Sequence, residues 1–410
     1  MRGIGVICEF NPFHAGHAHL LTQMRAAVGD GGCVVALMSG RFAQRGTVAV
    51  ADPYRRADMA LAGGADLVVE LPFPWSAGSA EHFATAGIRL LTRLGVDTVA
   101  FGSEWGDGKR LCRAAEAVDD PRFGEIYAAE YRGGMGTTAA YTEAIRTLMG
   151  YEGGQNDGTC PASNDLLGIA YLRALKRIES EAGRAPAAMI VPRQGSGYRD
   201  EIVHAGEYPS ATAIRRLIDE ASGDPDTLEA MLNGTMPDGA LHILMDAIRK
   251  SEAPLSGERL WDFYHVYYRL QRAEAVAHWA ECGGGIAEHI IRQAMGSATA
   301  ADFWCGIRTK QYTDARLRRA MLFGATGVTV EDLRMAPTYT TLLAANARGC
   351  AYLRHLHSRE AGELVITKPA DAPHGRQSEL CGRADALFTL CFPTPHAAGD
   401  MLRRTPVIRE

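Results

Sequence analysis

The stretch GIGVICEFNPFHAGHAHLL, residues 3–21, decides the fold. Its first part, GIGVIC, is a short apolar run with β-branched residues, which predicts a buried strand. Pro12 ends the run, because proline biases the residue before it away from helical geometry. His14 and His17 then open an apolar-periodic segment and share one face of a helix start. Unpaired backbone N–H groups and the positive end of the helix dipole lie there, so the sequence predicts a phosphate site with two imidazole donors.

The pattern HxGH also has simpler interpretations: a chance pair of surface histidines, or half of a metal site. No cysteine or carboxylate at ligand spacing accompanies the pair, so we expect no protein-held metal. Gly16 would let a bulky ligand approach the backbone. A second motif, SATAIR, favours phosphate binding, because Ser210 stands at an N-cap position and Thr212 and Arg215 follow within one turn. The alternative there is an ordinary capped helix with an exposed arginine.

Composition excludes several classes of protein. The chain has 410 residues, of which 47% are hydrophobic and 22% charged, as expected for two or three globular domains. Nine cysteines without a CxxC pair indicate reduced thiols, and no apolar stretch has the length of a signal peptide or spanning helix, so we expect a cytoplasmic protein without membrane contact. The net charge is −5, with −7 in residues 1–250 and +2 in residues 251–410. This balance permits only a local basic face for a nucleic acid.

Strands and helices alternate through the first half of the chain, which predicts parallel βαβ units. After the first strand, further strands are predicted at 33–38, 66–71, 97–101 and 187–191, with helices from Pro53, over 79–94 and from 163. Ligands bind beyond the carboxyl ends of such strands, where residues 10–17, 39–46 and 102–104 are expected to converge. Residues 107–150 are predicted as a helical insertion and residues 194–208 as a polar loop.

Beyond residue 240 the pattern is mostly helical, which predicts a catalytic domain at 1–235 and a helical region at 236–410. Strands of a small subdomain are predicted within 362–391. The segment TKQYTDARLRR, residues 309–319, places Lys310, Arg316, Arg318 and Arg319 near the start of one helix. Such a cluster is typical of an RNA-backbone contact or of an ordinary solvated helix face.

Seven motifs in order resemble the tRNA(Met) cytidine acetate ligase family, within the HxGH nucleotidyltransferase superfamily. They are GxxxEFNPFHxGH at 5–17, SGRFAQRG at 39–46, FGSE at 101–104, SND at 163–165, PR at 192–193, SATAIR at 210–215 and TKQYTDARLRR at 309–319. The resemblance implies an α/β fold with a Rossmann-like parallel sheet, followed by a mostly helical C-terminal region. It also implies that acetate is activated by ATP and then transferred to N4 of the wobble cytidine in elongator tRNA(Met).

The resemblance further implies a set of ATP contacts. These are Ile7, Cys8, Glu9, Phe10, Asn11, Pro12, Phe13, His14, Gly16, His17, His19, Gly102, Asn164, Arg193 and Ser210. We expect His14 and His17 to contact the α- and β-phosphates, and Thr212 and Arg215 the departing pyrophosphate. Mg²⁺ would bridge phosphate oxygens and be held mainly by ATP itself. The expected RNA contacts are Arg41, Arg45, Lys310, Arg316, Arg318 and Arg319.

One element departs from the family pattern. Where the family usually has a lysine in an Asp-Lys-Trp element, this chain has Pro53, so the phosphate or tRNA contact of that lysine is not expected unless Arg55 or Arg56 substitutes for it. Two other functions compete with acetate ligation: a small-molecule adenylyltransferase, and a nucleotide- or RNA-binding protein without turnover. The long helical extension counts against the first, and the intact His14, His17, Thr212 and Arg215 count against the second.

Overall fold

The computed structural model describes residues 1–151, 158–193, 209–221, 224–357 and 364–410. Its strands are β1 (Gly3–Cys8), β2 (Cys33–Ser39), β3 (Leu67–Leu71), β4 (Thr98–Ser103), β5 (Ala187–Pro192), β6 (Thr340–Ala345), β7 (Val365–Ile366) and β8 (Val407–Ile408). Across these residues they form one eight-stranded sheet in the order β5-β4-β1-β2-β3-β6-β7, with β8 beside β6.

The helices surround this sheet. Those of the first half are α1 (Ala15–Val28), α2 (Pro53–Ala62), α3 (Ala80–Arg93), α4 (Gly108–Val118), α5 (Phe123–Arg132), α6 (Thr137–Leu148), α7 (Ser163–Ala182) and α8 (Ala211–Glu220). Those of the second half are α9 (Pro225–Leu232), α10 (Asp238–Arg249), α11 (Glu258–Arg269), α12 (Ala273–Val276), α13 (Ile286–Gly296), α14 (Ala300–Ile307), α15 (Asp314–Thr326), α16 (Val330–Arg334), α17 (Ala347–His357) and α18 (Arg376–Phe388).

The first five strands run parallel, as the alternation of strands and helices predicts. β1 lies in the middle of the sheet, paired with β2 on one side and with β4 on the other. The strand order reverses at this point, so the connections after β1 and β4 leave on opposite sides and open a crevice at their carboxyl ends. The Rossmann-like fold is therefore confirmed, and the crevice lies where the HxGH motif begins.

The two faces of the sheet bury two separate cores. Alternate residues of β1 point to opposite faces, so Val6 packs into one core and Ile7 into the other. The core on the Val6 side includes α1, α2 and most of the C-terminal helices, while the core on the Ile7 side includes α3, α4, α7 and α17. Strands covered on both faces read as continuous apolar runs, which is why β1 and β2 are recognisable in the sequence.

The expectation of C-terminal strands within residues 362–391 is mostly wrong. ADALF, residues 384–388, lies in helix α18, where Leu380, Ala384 and Leu387 repeat at helical spacing and are buried. The segment TTLLAA instead forms β6, which extends the main sheet antiparallel to β3. Sequence analysis does not identify β6, because TTLLAA lacks the Val and Ile residues that mark β1 and β2, and its Leu and Ala residues are equally typical of a buried helix.

Three further predictions concern the helical insertion, the polar loop and the domain boundary. Residues 107–150 are helical, as predicted, and form α4, α5 and α6. The predicted loop at 194–208 lies outside the described residues. The sheet takes strands from both sides of the predicted boundary at residue 235, so the division into two domains stays a prediction.

All nine cysteines are free thiols. Among the described residues, no helix combines the length and the apolar character needed to cross a membrane.

Candidate active site

The turn after β1 arranges the two histidines of the HxGH motif. His14 is the N-cap of α1, and its Nδ1 accepts a hydrogen bond from the backbone N–H of Gly16 at 3.1 Å. The Nδ1 of His17 accepts in turn from the backbone N–H of His14 at 3.3 Å, and the ring centroids lie 3.7 Å apart. A neutral imidazole whose Nδ1 accepts carries its proton on Nε2. Each ring therefore presents an Nε2–H donor.

Burial keeps both imidazoles neutral. It lowers the pKa of His14 to about 3, with Arg193 and Arg215 contributing in the same direction. The pKa of His17 also lies well below its usual value, because of burial first and then of His14 and Arg193. Both rings are thus uncharged near pH 7. Each neutral ring can therefore donate one hydrogen bond to an anion through its Nε2–H.

The SATAIR helix faces the same turn. The Oγ of Ser210 accepts from the backbone N–H of Ala213 at 3.0 Å, which confirms Ser210 as the N-cap of α8. Arg215 reaches across: its Nη1 donates to the backbone oxygen of Asn11 at 2.7 Å, and its Nη2 donates to the Oγ1 of Thr212 at 3.1 Å. The N-termini of α1 and α8, two regions of positive potential, are therefore tied together by a guanidinium.

The opposite wall is built at the ends of β4 and β5. The carboxylate of Glu104 accepts from the backbone N–H groups of Asn164 and Asp165, both at 3.1 Å, and from the Nδ2 of Asn164 at 2.5 Å. Arg193 lies 4.0 Å from the same carboxylate. A Cβ at Gly102 would come within 3.3 Å of the Arg193 side chain, so glycine gives that side chain its room. Glu104 thereby orients both Asn164 and Arg193.

These walls enclose a cavity of about 350 Å³. Most of the predicted ATP contacts line it, namely Ile7, Cys8, Glu9, Phe10, Asn11, His14, Gly16, His17, His19, Gly102, Asn164, Arg193 and Ser210, together with Arg215. Pro12 and Phe13 do not line it, and the Phe13 ring is fully buried in the core, so their contacts with ATP stay a prediction. Thr212 is not on the wall and contacts the guanidinium of Arg215 instead.

Several residues of the cavity carry no role in the sequence analysis. Gln44 lines it, and its backbone N–H donates to the Glu9 carboxylate at 2.8 Å. Tyr171 of α7 also lines it, and its buried hydroxyl has no hydrogen-bond partner in the described part of the chain. Glu104 is recognisable as a polar residue after a strand. Tyr171 gives no such signal, because it lies within an apolar helical run.

Arg41 is a correction to the predicted RNA contacts. Its side chain is 4% exposed and forms ion pairs with the carboxylates of Glu70 and Asp385. These two residues come from β3 and α18, so the guanidinium joins the sheet to the C-terminal part of the chain. A cation enclosed between two buried carboxylates cannot reach an RNA phosphate. Arg45, four residues later, is exposed and lines the cavity.

The arginines that follow Pro53 are also held within the fold. Arg56 is fully buried and donates to the backbone oxygens of Glu9 at 2.6 Å and Ser39 at 3.0 Å. It therefore fixes the carboxyl ends of β1 and β2 and is not available to replace a lysine at a ligand. Arg55 pairs with Glu252 at 2.7 Å. Pro53 itself occupies the first position of α2, as predicted.

The cluster on the 309–319 segment comprises Lys310, Arg316, Arg318 and Arg319. Arg316 and Arg319 both pair with Glu281, at 3.3 and 3.0 Å. The guanidinium of Arg318 lies 4.6 Å from the ring centroid of Trp304, and Lys310 is exposed just before the helix. The four cations are thus not equivalent. Their role toward RNA stays a prediction.

Within the described residues there is no group of three or more His, Cys, Asp or Glu side chains that could hold a metal ion. A divalent cation that accompanies a nucleotide is commonly held by one or two carboxylates together with the phosphates and water, an arrangement that does not need such a group.

Comparison with known proteins agrees with this geometry. Residues 1–400 match the family model described as HIGH Nucleotidyl Transferase. Proteins named tRNA(Met) cytidine acetate ligase are 32% identical in Acetivibrio thermocellus, with 96% of each chain covered, and 32% identical in Lysinibacillus sphaericus, with 100% of each covered.

Two solved structures of Thermotoga maritima TmcAL are similar over the whole chain. The apo form has a TM-score of 0.86 at 26% identity and covers 100% of this chain and 99% of its own. The form bound with alpha-thio ATP has a TM-score of 0.83 at 26% identity and covers 100% of both. The protein described here therefore belongs to the tRNA(Met) cytidine acetate ligase family of the HIGH nucleotidyl transferases.

Proposed function

We propose that this protein activates acetate with ATP to acetyl-adenylate and then acetylates N4 of the wobble cytidine in elongator tRNA(Met). The observation that carries the proposal is the pair of neutral imidazoles of His14 and His17, whose ring centroids lie 3.7 Å apart beside Arg215 at the carboxyl end of β1. Hydrogen-bond donors and a cation meet there at two helix N-termini. The acetyl group and the tRNA are inferred from the names of the relatives.

We place ATP across the cavity at the strand ends. The adenosine lies toward Gly102, Asn164 and Arg193, and the triphosphate toward α1 and α8. His14 and His17 donate to the α- and β-phosphates, while Arg215, held by Thr212, faces the departing pyrophosphate. Arg215 would exchange its bond to the Asn11 oxygen for phosphate oxygens as ATP binds.

The first half-reaction is attack by an acetate oxygen on the α-phosphorus. The new P–O bond gives acetyl-adenylate, and the bond to the β-phosphate breaks to release pyrophosphate. Acetate is already ionised, so the step needs no general base. Charge grows on the phosphoryl oxygens and on the leaving group, and fixed donors aimed at that charge lower the barrier. The Nε2–H groups suit this role because their hydrogen bonds at Nδ1 fix them in place before the charge develops.

The second half-reaction transfers the acetyl group. The cytidine N4 attacks the acetyl carbonyl carbon, the bond to the AMP oxygen breaks, and N4 loses a proton to solvent. The base must leave the anticodon-loop stack to reach the pocket. We propose Arg45, Lys310, Arg316, Arg318 and Arg319 as contacts to the RNA backbone and residues 236–410 as the RNA-binding region. Mg²⁺ would accompany ATP, and the reaction would take place in the cytoplasm.

Mass spectrometry of tRNA nucleosides tests the proposal. Bulk tRNA incubated with the protein, ATP and deuterated acetate is expected to yield labelled N4-acetylcytidine, dependent on all three additions. A small-molecule adenylyltransferase would instead release pyrophosphate with a mononucleotide and not with acetate. A binding protein without turnover would give neither product, and either of these results would contradict the proposal.

A further inference from the structure

A second cleft opens beside the ATP cavity, between α8, α11, α14 and α15. Its volume is about 360 Å³, and one wall is made of aromatic rings from α11 and α14. Trp261 and Trp304 lie with ring centroids 4.3 Å apart at an interplanar angle of 35°. Both indoles are only partly buried, so each leaves ring surface facing the cleft. These two partly buried tryptophans offer ring surface to a flat ligand in the cleft.

The cleft and the ATP cavity share their boundary. Arg215 lines both of them. One loop also serves both, because Gln44 and Arg45 line the ATP cavity while Gly46, Thr47 and Val48 line the cleft. A ligand in the cleft therefore lies next to the phosphate end of the ATP site.

The shared loop is fixed against α15. The backbone N–H of Ala43 donates to the Thr47 oxygen at 2.8 Å, and that of Gly46 donates to the Ala43 oxygen at 2.8 Å. Gly46 has φ +69°, and a Cβ there would come within 2.8 Å of the backbone nitrogen of Arg319. The loop thus packs against the backbone of α15 with no room for a side chain. The position of the cleft relative to the ATP cavity is set by this contact.

The polar groups around the aromatic wall suit a nucleotide base. Arg318 lines the cleft with its guanidinium 4.6 Å from the Trp304 ring centroid, and Asp219 lines the side formed by α8. A carboxylate accepts readily from the exocyclic amine of cytosine. Tyr264, also on the wall, has a buried hydroxyl without a hydrogen-bond partner in the described residues. Stacking surface, a cation and an acceptor are thereby gathered in one cleft.

We propose that this cleft receives the unpaired acceptor cytosine of the RNA substrate, stacked on Trp304 and Trp261, next to the acetyl-adenylate. The assignment rests on the proposed function and adds the site from which the base reacts. Aromatic stacking binds any base, and the position of Asp219 favours one with an exocyclic amine. Arg318 serves this site and not the RNA backbone alone.

The test measures RNA binding in the absence of ATP and acetate, by fluorescence anisotropy of a labelled anticodon stem-loop. Loss of a base–aromatic stack costs about 5- to 150-fold in affinity. We expect wild-type protein to lose that factor when the RNA lacks only the acceptor base. Trp304→Leu is expected to lose a similar factor with intact RNA and to bind intact and abasic RNA equally. Trp304→Phe is expected to restore most of the affinity.

Trp279→Phe, a tryptophan substitution away from the cleft, is the matched control and should bind like wild type. The wild-type protein provides a second readout that needs no cleft variant: intact RNA should quench indole fluorescence, and abasic RNA should not. The proposal is overturned if Trp304→Leu lowers the affinity for intact and for abasic RNA by the same factor relative to wild type. It is also overturned if wild type binds abasic RNA as tightly as intact RNA. Neither measurement uses acetate or turnover, so failure of the proposed reaction would be recognised separately.

Discussion

Two helix starts carry clusters of basic side chains, the HxGH turn at α1 and the arginine turn at α15, and they differ in what surrounds them. At α1, both imidazoles lie in one cavity and are kept neutral by burial. At α15, two of the arginines pair with Glu281, and Arg318 lies against Trp304. The HxGH turn follows the carboxyl end of β1, where the strand order reverses, and ligands of parallel sheets bind at such a point. In the second cluster, the side chains contact two different residues from elsewhere in the chain, Glu281 and Trp304, so they do not point into one common site.

The largest effect is expected on the free energy of unfolding when Arg41, a buried structural arginine, is replaced. Arg41→Ala removes the shared partner of two buried carboxylates, and breaking such a pair costs about 3–5 kcal/mol. Urea unfolding is expected to show this loss. The exposed Arg45 is the matched control, and Arg45→Ala should change the free energy of unfolding by less than about 1 kcal/mol. Equal stability of the two variants would mean that Arg41 is not a structural cation.

The HxGH turn is expected to show the next largest effect. His17→Ala should slow acetate-dependent ATP–pyrophosphate exchange by at least about 10²-fold, with a smaller change in ATP affinity, because the donor acts mainly on transition-state charge. The exposed His278 offers a control, and His278→Ala should exchange normally. If His17→Ala lost binding and rate by the same factor, the histidine would be a ground-state contact and not a catalytic donor.

The buried histidines also predict a pH dependence of stability. Because the folded-state pKa of His14 is about 3, the unfolded chain binds more protons below pH 6.5. The stability contributed by neutral His14 is complete above that pH and falls as the pH drops toward 3. Between pH 6.5 and 5, wild type is expected to lose roughly 1.5–2 kcal/mol more than His14→Gln. Parallel stability curves in urea titrations would contradict a buried neutral imidazole.

The smallest effect is a difference in tRNA affinity between variants of two neighbouring arginines of α15. Arg318→Ala is expected to weaken tRNA binding about five- to tenfold and to reduce the salt slope by up to about 1, as for one lost phosphate contact. Arg319→Ala should lower affinity less than about threefold, because the ion pair with Glu281 weakens the proposed contact of Arg319 to the RNA backbone. Acetate-dependent exchange should stay intact in both. The comparison fails if Arg319→Ala is the more damaging of the two.

The order of these effects also shows what a sequence can predict. Residues at strand ends and helix starts, such as His14, Asn164 and Ser210, lie together on the cavity as the sequence predicts, because local periodicity fixes the elements and topology brings their ends together. The partners of a long cation are not predictable in this way. Arg41 meets Asp385, 344 residues away, and nothing local distinguishes it from the exposed Arg45. Tyr171 has no local signal either, since only packing of α7 places it at the cavity.

Isotope transfer tests the central claim most directly. If an acetate oxygen attacks the α-phosphorus, that oxygen becomes the bridge of acetyl-adenylate and leaves with AMP when the cytidine amine attacks. A reaction with ATP, tRNA and acetate labelled with ¹⁸O at both oxygens is therefore expected to give one ¹⁸O in AMP per acetylcytidine formed, measured by mass spectrometry. Unlabelled AMP, with the label in inorganic phosphate or pyrophosphate, would contradict activation at the α-phosphate.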